Sequence, residues 1–271
     1  MFYDDSKFGH LHSANIFGAY VGIVTDNVHT EGDYRVRVKF PTLPGDDQSW
    51  WCRIATFGAS KEGMGAFFLP EVNDEVVVVF LNGDFNSGIV LGTLWNGVDK
   101  PAYSNQDASS KTNRYQSNDA KFKLKTEAKK NDIRSISTRK KHELVFNDNA
   151  SEPGVVLSSG QKHRIVLNDK DNQPTQIEIY DGKEENYILI DNKNKKITIE
   201  TKTGDMLLKA KETITLECKN LVTKSDQETK MTVGTNYKMT ASSNMEMKAS
   251  GSGTVQSSGT MTIKGATVNI N

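Results

Sequence analysis

Side chains that could do chemistry are few in this 271-residue chain, and they are scattered. His10 and His12 form an H-x-H pair, which on a strand would point both imidazole rings to one side and could bind a metal ion. Such a pair is more often simply solvent-facing, and the two cysteines add no zinc-type spacing. We therefore predict neither a metal site nor a bound cofactor.

Three further histidines stand apart from any nucleophile: His29, His142 and His163. Without a nearby Ser or Cys they are expected at exposed strand or turn positions. Four acidic residues flank predicted turns: Asp46, Asp47, Asp74 and Glu75. Turn formation is their expected role, rather than paired acid catalysis. The glycine-rich run GASKEGMG lacks the strand and helix that flank a phosphate-binding loop, so no enzymatic activity is predicted.

The charge is balanced overall but divided along the chain. Residues 1–103 hold 7 basic and 13 acidic groups, a net charge of −6, and residues 104–271 hold 27 and 21, a net charge of +6. The longest purely apolar run, Val76–Leu81, is too short to span a bilayer. The first 20 residues lack the basic and apolar regions of a secretory signal, which predicts synthesis in the cytoplasm without a cleaved signal.

The first hundred residues have the pattern of a small β-barrel. Strands are predicted for YVGIVT, YRVRVKF, SWWCRIAT, GAFFLP, DEVVVVFL and SGIVLGTLW. YRVRVKF alternates, with four residues on one face: Tyr34, Val36, Val38 and Phe40. Turn signals separate these strands and no helical period is present, which predicts a closed barrel over residues 19–103. Cys52 falls in this barrel and Cys218 beyond it, so two reduced, buried thiols are expected rather than a disulfide.

Residues 104–141 are polar and basic, and they are predicted to be a connector that passes into short strands. A basic run beside a barrel could bind single-stranded nucleic acid. Between Lys121 and Lys141, however, Phe122 is the only aromatic residue available for stacking on bases, so a solvated face is favoured. Residues 142–205 then return to strands: HELVFND, GVVLSS, HRIVLND, TQIEIYD, NYILIDN and KKITIET. They predict a β-prism that narrows into the region that follows.

From Met206 onward, apolar residues recur in pairs every seven or eight residues, with one residue, polar in all but the first, inside each pair. This alternation is that of a short strand with one buried face, followed by a bend. Fifteen of the eighteen pair positions are apolar. The large apolar members are the predicted core: Met206, Leu208, Ile214, Leu216, Met231, Met239, Met245, Met247, Val255, Met261 and Ile263.

Three-residue strands cannot enclose a core by themselves, and eight residues supply only one strand and one bend. The simplest closed arrangement is three chains wound together, which leaves no unpaired strand edge except at the ends. With strands about 4.8 Å apart, nine rungs predict a rod on the order of 40 Å long over residues 206–271. The alternative is a one-chain antiparallel meander that keeps the same spacing.

Two runs carry a specific family resemblance: FFLPEVNDEV and VLGTLWNGVDKP. Together with YRVRVKFPTLPGDDQSWWCRIAT they strongly resemble the barrel of the VgrG and baseplate-spike family, which serves contractile phage tails, type VI secretion systems and extracellular injection systems. The resemblance covers residues 19–103 by motif and 142–271 by pattern. It implies an all-β chain with an OB-fold barrel and a trimeric, triple-stranded β-helix needle.

The resemblance also implies a mechanical role as a non-enzymatic spike that sheath contraction drives through a target membrane, outside the producing cell. Many family members begin with a large hub domain, whereas about 18 residues precede the barrel here. Residues 1–18 are therefore expected to dock onto a separate hub protein through aromatic residues: Phe2, Tyr3, Phe8 and Phe17. A conical PAAR-repeat protein is the implied cap for the last four residues: Val268, Asn269, Ile270 and Asn271.

Two other functions remain open at this point. A trimeric adhesive stalk or fibre would have the same rod but not this barrel. A weaker alternative is an OB-fold protein that binds single-stranded nucleic acid, although no nucleic-acid partner is predicted because the barrel itself is acidic.

Overall fold

The computed structural model describes residues 16–43, 48–101, 132–150, 153–170 and 176–270. The chain divides into two compact units, Met1–Leu207 and Leu208–Asn271. The first holds twelve strands in two sheets, and the helical content of the described residues is two short 3-10 turns, Lys61–Gly63 and Leu81–Gly83. The predicted all-β class is confirmed.

The first sheet is a five-stranded barrel. Its strands are β1 (Ala19–Asp26), β2 (Arg37–Lys39), β3 (Arg53–Ile54), β4 (Glu75–Phe80) and β5 (Gly88–Thr93). They hydrogen-bond in the order β2-β1-β4-β5-β3, with β3 parallel to β5 and the other pairs antiparallel. Isolated bridges from Val36 to Cys52 and from Lys39 to Gln48 join β2 to β3. The circuit therefore closes, as the OB-fold prediction requires.

Alternating valines fill the barrel. In β4, Val76 and Val78 are fully buried while their neighbours are only partly covered, which is the period-two pattern of a strand with one core face. Three phenylalanines close one part of this core, with Phe40 and Phe80 ring centres 5.4 Å apart and Phe80 and Phe85 5.2 Å apart. Each such side chain contributes roughly 1.5–3 kcal/mol when fully buried.

Two details of the barrel differ from the sequence prediction. GAFFLP is not a strand; residues 55–74 form an exposed loop that is braced by the bridge between Ala59 and Gly65. Tyr34 does not share the buried face of Val36 and Val38, because its φ is +53° and its side chain is 65% exposed. A left-handed residue reverses the local direction of the chain, so the alternation begins only after it.

The second sheet is a seven-stranded antiparallel meander. Its strands are β6 (Ile133–Ser137), β7 (Glu143–Asn147), β8 (Gly154–Ser158), β9 (Arg164–Asn168), β10 (Gln176–Tyr180), β11 (Asn186–Asp191) and β12 (Lys196–Thr201). They pair in chain order, and each ladder runs without a register shift. The six strands predicted from His142 onward are confirmed, and β6 adds a seventh from the end of the predicted connector.

Consecutive turns along one side of the meander are tied together by histidine. The backbone N–H of Gly160 donates to His142 Nδ1 at 3.3 Å, and that of Gly182 donates to His163 Nδ1 at 3.0 Å. A Cβ atom on Gly160 would lie 2.0 Å from the carbonyl oxygen of Lys140, which only glycine avoids. The exposed turn positions predicted for these two histidines are confirmed, and each also fixes the next turn.

The second unit has a different character. Residues 208–270 contain no ladder of paired strands, and regularly spaced bends recur along the backbone. From the third repeat onward the bends fall at 226–227, 234–235, 242–243, 250–251, 258–259 and 266–267. The spacing of the bends read from the sequence is thus present in the backbone, whereas the strands between them and the triple-stranded β-helix stay predictions.

The close approach at Gly160 generates a test. Gly160→Ala should lower the free energy of unfolding by about 1–3 kcal/mol, because the added Cβ forces two neighbouring turns apart. Gly97→Ala is the matched control, since a Cβ there has nothing within 4 Å. Chemical denaturation followed by circular dichroism measures both variants. Equal stability of the two variants would contradict the packing described for these turns.

Candidate functional site

One face of the meander is apolar across all seven strands. The ladders place one residue of each strand in a continuous row: Ile136, Leu144, Leu157, Ile165, Ile179, Ile188 and Ile199. A second row on the same face follows two residues away in each strand: Arg134, Phe146, Val155, Leu167, Ile177, Ile190 and Ile197. Arg134, on the edge strand β6, is the single polar residue in the two rows.

This apolar face is open in the single chain. Ile177 and Ile179 at its centre are 42% and 40% exposed, and Ile197 and Ile199 on the last strand are 66% and 58% exposed. Soluble monomers typically expose apolar patches of about 300–600 Å² at most. Two rows of aliphatic side chains across seven strands exceed what a monomer ordinarily leaves in water, so the face has the character of an assembly surface.

The opposite face of the sheet is buried and mixed. Val145, Val156 and Val166 form its apolar centre, and Glu178 continues the same row with no exposed surface. Polar residues flank this row on both sides: Glu143, Asn147, Ser158, Arg164, Asn168 and Gln176. The buried face thus combines an apolar centre with polar flanks, while the two aliphatic rows of the other face are open in the single chain.

The buried polar face contains one ion pair with an aromatic neighbour. Arg164 contacts the carboxylate of Glu184, both nearly fully buried, and its guanidinium lies 4.5 Å from the centre of the Tyr180 ring. Burial, followed by the negative charge of Glu178, raises the pKa of Tyr180 to about 12. Tyr180 is therefore a neutral phenol at physiological pH.

Asp181 organises the turn between β10 and β11. Its carboxylate accepts the backbone N–H groups of Lys183, Glu185 and Asn186, and the Asn186 side-chain amide at 2.7 Å. Desolvation raises the pKa of Asp181, but these hydrogen bonds outweigh it and hold the pKa below its ordinary value.

The residues of the predicted trimer core are not brought together within one chain. Each is 46–80% exposed: Met206, Leu208, Ile214, Leu216, Met231, Met239, Met245, Met247, Val255, Met261 and Ile263. Residues 208–270 thus add a second open apolar surface directly after the meander in the sequence. Their assignment to a trimer core stays a prediction.

The docking residues predicted at the two ends lie partly outside the described residues. Phe17 is 68% exposed, and Val268 and Ile270 are 47% and 87% exposed. Asn269 is exposed as well. The other predicted docking residues and the H-x-H pair fall in undescribed positions: Phe2, Tyr3, Phe8, His10, His12 and Asn271. Cys52 is buried as predicted, but Cys218 is exposed, so the prediction of two buried thiols is wrong for the single chain.

The sequence analysis missed an aromatic loop on the barrel. Phe57, Met64, Phe67 and Phe68 are 59–81% exposed in the β3–β4 connection. Met64, Phe67 and Phe68, together with Tyr34, are among the residues that line a groove of about 400 Å³. The signal was present in GAFFLP, whose two adjacent phenylalanines cannot both face the inside of a strand.

His29 also differs from its prediction. Instead of an exposed position, its ring packs 4.6 Å from that of Trp51, and its Nδ1 lies against the carboxylate of Asp33. Glu31 brings a third possible metal ligand within 4.8 Å of these two. Asp33 is also paired with Arg35 at 2.6 Å, so these contacts stabilise the connection between β1 and β2.

Comparison with known proteins places the barrel in a family. Residues 20–95, which span β1 to β5, match the type VI secretion system/phage-baseplate injector OB domain. The barrel is similar to an injector OB domain over this stretch. The resemblance drawn from the barrel motifs is thereby confirmed for this part of the chain.

Individual relatives agree with the domain match. The type VI secretion system spike protein VgrG3 of Vibrio cholerae is 30% identical over 96 residues, which cover 34% of this chain and 9% of that protein. Spike protein VgrG4b of Pseudomonas aeruginosa is 32% identical over 96 residues, covering 32% and 12%. The actin cross-linking toxin VgrG1 of V. cholerae is 25% identical over 119 residues, covering 38% and 11%.

The chain matches about a tenth of the length of these relatives. The names of these proteins therefore inform the function of this chain only as a proposal. Within the described residues, no helix has the length and apolar character of a membrane span.

The Asp181 turn yields a pH prediction. Because its pKa is lower in the folded state than in the unfolded chain, its contribution to stability is complete above the ordinary carboxyl value of 3.8 and is lost as the pH falls through the folded pKa. Asp181→Asn should therefore be less stable than the wild type at pH 7, and the difference should shrink below pH 4. Thermal melting from pH 7 to pH 3 measures this difference in stability. A difference that stays constant across the range would contradict the stabilising role of the Asp181 carboxylate in the turn.

Proposed function

We propose that this chain is the central spike of a contractile injection machine, assembled as a homotrimer. The observation that carries the proposal is an injector OB domain joined to two open apolar surfaces, the meander face and the repeats of residues 206–270. A binding module that functions as a monomer does not need large open apolar surfaces. A second copy of the same chain offers matching apolar partners at every level of the repeat.

The number three follows from the length of the repeat. A single chain that turned several corners in each coil would need more than the eight residues between successive bends. Three chains, each contributing one wall to each layer, close the coil with eight residues per chain. Covering a large apolar side chain contributes roughly 1.5–3 kcal/mol, and this gain becomes available only on assembly.

The same arrangement suits a mechanical task. In the proposed rod the axial load is shared by hydrogen bonds between strands of three chains, and no flexible hinge interrupts the repeats. Sheath contraction would then push the trimer through the target envelope without any catalytic step. In this proposal the protein is made in the cytoplasm and leaves the producing cell as part of the particle.

Partners are proposed at both ends. The exposed ring of Phe17 and the residues before it would dock the barrel to a separate hub or baseplate protein. At the other end, the exposed side chains of Val268 and Ile270 from three chains would form an apolar platform for a conical PAAR-type tip protein. Asn269 and Asn271 would surround it with amide groups.

The oligomeric state tests the proposal directly. Sedimentation velocity of the full chain should give the mass of three copies, and the trimer should resist SDS or heat. Ile179→Lys combined with Ile188→Lys should lower the melting temperature of the assembly by about 10 °C or dissociate it, because six ammonium groups would enter a dry interface. Val98→Lys, at an 89% exposed position of the barrel, is the matched control. A well-folded wild-type monomer would refute the proposal.

The tip platform gives a separate prediction. Deleting residues 268–271 should leave the trimer intact but abolish co-purification of a PAAR-type protein with it. Binding is measured by pull-down with the tip protein of the same machine. Retention of the tip by the shortened trimer would show that the platform lies elsewhere.

A further inference from the structure

The connection between β1 and β2 brings three potential metal ligands together. His29, Glu31 and Asp33 each offer one ligand atom, and these atoms lie within 4.8 Å of one another. Among the residues that the structure describes, no other group of three His, Cys, Asp or Glu side chains comes this close. The group combines an imidazole nitrogen with two carboxylate oxygens, which is a ligand set that Zn²⁺ accepts.

A tight turn produces this proximity. The backbone N–H of Gly32 donates to the carbonyl oxygen of His29 at 3.0 Å, and Gly32 adopts a φ of +69°, a conformation that favours glycine. The chain therefore reverses between His29 and Asp33, and their side chains come into contact. Glu31 lies within the turn and is exposed, so its carboxylate can change rotamer without disturbing a packed core.

The Nδ1 atom of His29 is buried without a hydrogen bond. The side chain is 13% exposed, and its ring packs edge to face on Trp51 with 4.6 Å between the ring centres. Nδ1 itself has almost no accessible surface, and no described residue forms a hydrogen bond with it. The carboxylate of Asp33 touches this nitrogen, but the contact lacks the alignment of a hydrogen bond. A cation between the nitrogen and the carboxylate would satisfy a polar atom that is costly to bury alone.

Arg35 holds the other oxygen of the Asp33 carboxylate. Its Nε lies 2.6 Å from Oδ2, whereas Oδ1 is the oxygen in contact with His29. Outer partners of this kind orient a ligating carboxylate toward a metal. A second cation, Arg37, has its guanidinium 4.9 Å from the centre of the Trp51 ring. Arg35 thus offsets one of the two carboxylate charges in the group and leaves Oδ1 available to a divalent cation.

We propose that His29, Glu31 and Asp33 form a Zn²⁺-binding site in the connection between β1 and β2. Bonds of about 2.0–2.2 Å to a tetrahedral ion place the ligand atoms about 3.3 Å apart, so small side-chain rotations close the three donors around zinc. Water completes the coordination, because the described chain supplies three ligands here. Ca²⁺ and Mg²⁺ prefer six or more oxygen ligands, and the imidazole therefore selects zinc over them.

The bound ion would fix the segment that carries Tyr34. This residue follows Asp33 directly and has a φ of +53°. Its ring packs against that of Phe67, in the exposed loop after β3, with 4.9 Å between the ring centres. Zinc bound at Asp33 thus restrains the connection that presents Tyr34 to the aromatic loop.

Zinc binding to the full chain tests the site. The background variant is Cys218→Ser with His10→Asn and His12→Asn, because an exposed thiol and an H-x-H pair are themselves zinc ligands. After treatment with a chelator, titration calorimetry with Zn²⁺ should give one high-affinity site per chain. Mg²⁺ at the same concentration should not compete.

Substitutions distinguish the ligands from their neighbours. His29→Ala should remove the high-affinity site, and Glu31→Gln should weaken it strongly. Arg35→Gln should lower the zinc affinity by about tenfold, because it removes only the group that orients Asp33. His142→Asn, at an exposed turn of the meander, is the matched control and should bind zinc as the background does.

Cobalt provides a spectroscopic readout that a histidine with a merely structural role would not change. Co²⁺ in place of zinc should show the visible absorption of tetrahedral coordination and should quench the fluorescence of Trp51, whose ring contacts His29. Trp50→Phe with Trp95→Phe leaves Trp51 as the single tryptophan. Both signals should disappear with His29→Ala.

Two results would overturn the zinc proposal: no high-affinity binding by the background chain, or binding that neither His29→Ala nor Glu31→Gln reduces. Because Glu31 is exposed, its variant remains informative even where His29→Ala disturbs the fold. Weak binding at several sites would assign the ion to scattered surface carboxylates and would also overturn the proposal. None of these results affects the proposed spike, since the trimer is tested by sedimentation and does not use these residues.

Discussion

Apolar surface that one chain cannot cover is the constraint on which the rest of this structure depends. The meander presents two apolar rows on a face that stays open, and the repeats after it have no strand ladder of their own. Exposure of either apolar surface to water is unfavourable in free energy. The regular spacing of both surfaces allows further copies of the chain to cover them. The barrel is the opposite case: its valines and phenylalanines are enclosed within a single circuit. One chain therefore combines a domain that encloses its own core with a long region whose apolar surface stays open.

Much of this division could be predicted from the sequence because apolar periodicity reports local geometry directly. The six strands after His142 appear where alternation and turn residues placed them, and the bends of the tail keep their eight-residue spacing. The predictions failed where a single backbone choice overrode the pattern. The positive φ of Tyr34 removed it from the buried face, and adjacent apolar residues in GAFFLP left the sheet as a loop.

Only one of the two candidate apolar surfaces could be predicted from the sequence. The apolar residues of the eight-residue repeats could be named from their spacing alone. The apolar face of the meander could be recognised only once the register of the strand pairs was known. Leu157 and Ile179 are unremarkable in their own strands and become neighbours in one apolar row only when the ladders through Ile165 are aligned. Sequence predicts strands well, but pairing decides which side chains act together.

The methionine content of residues 206–263 has a consequence for the single chain before the proposed assembly. Methionine supplies much of the exposed apolar surface between residues 206 and 263, and its thioether sulfur is oxidised readily to a polar sulfoxide when solvent reaches it. A copy oxidised while still alone would carry polar groups where a dry contact is needed. In the proposed trimer the same sulfur atoms would be covered, so assembly would also protect them from oxidation.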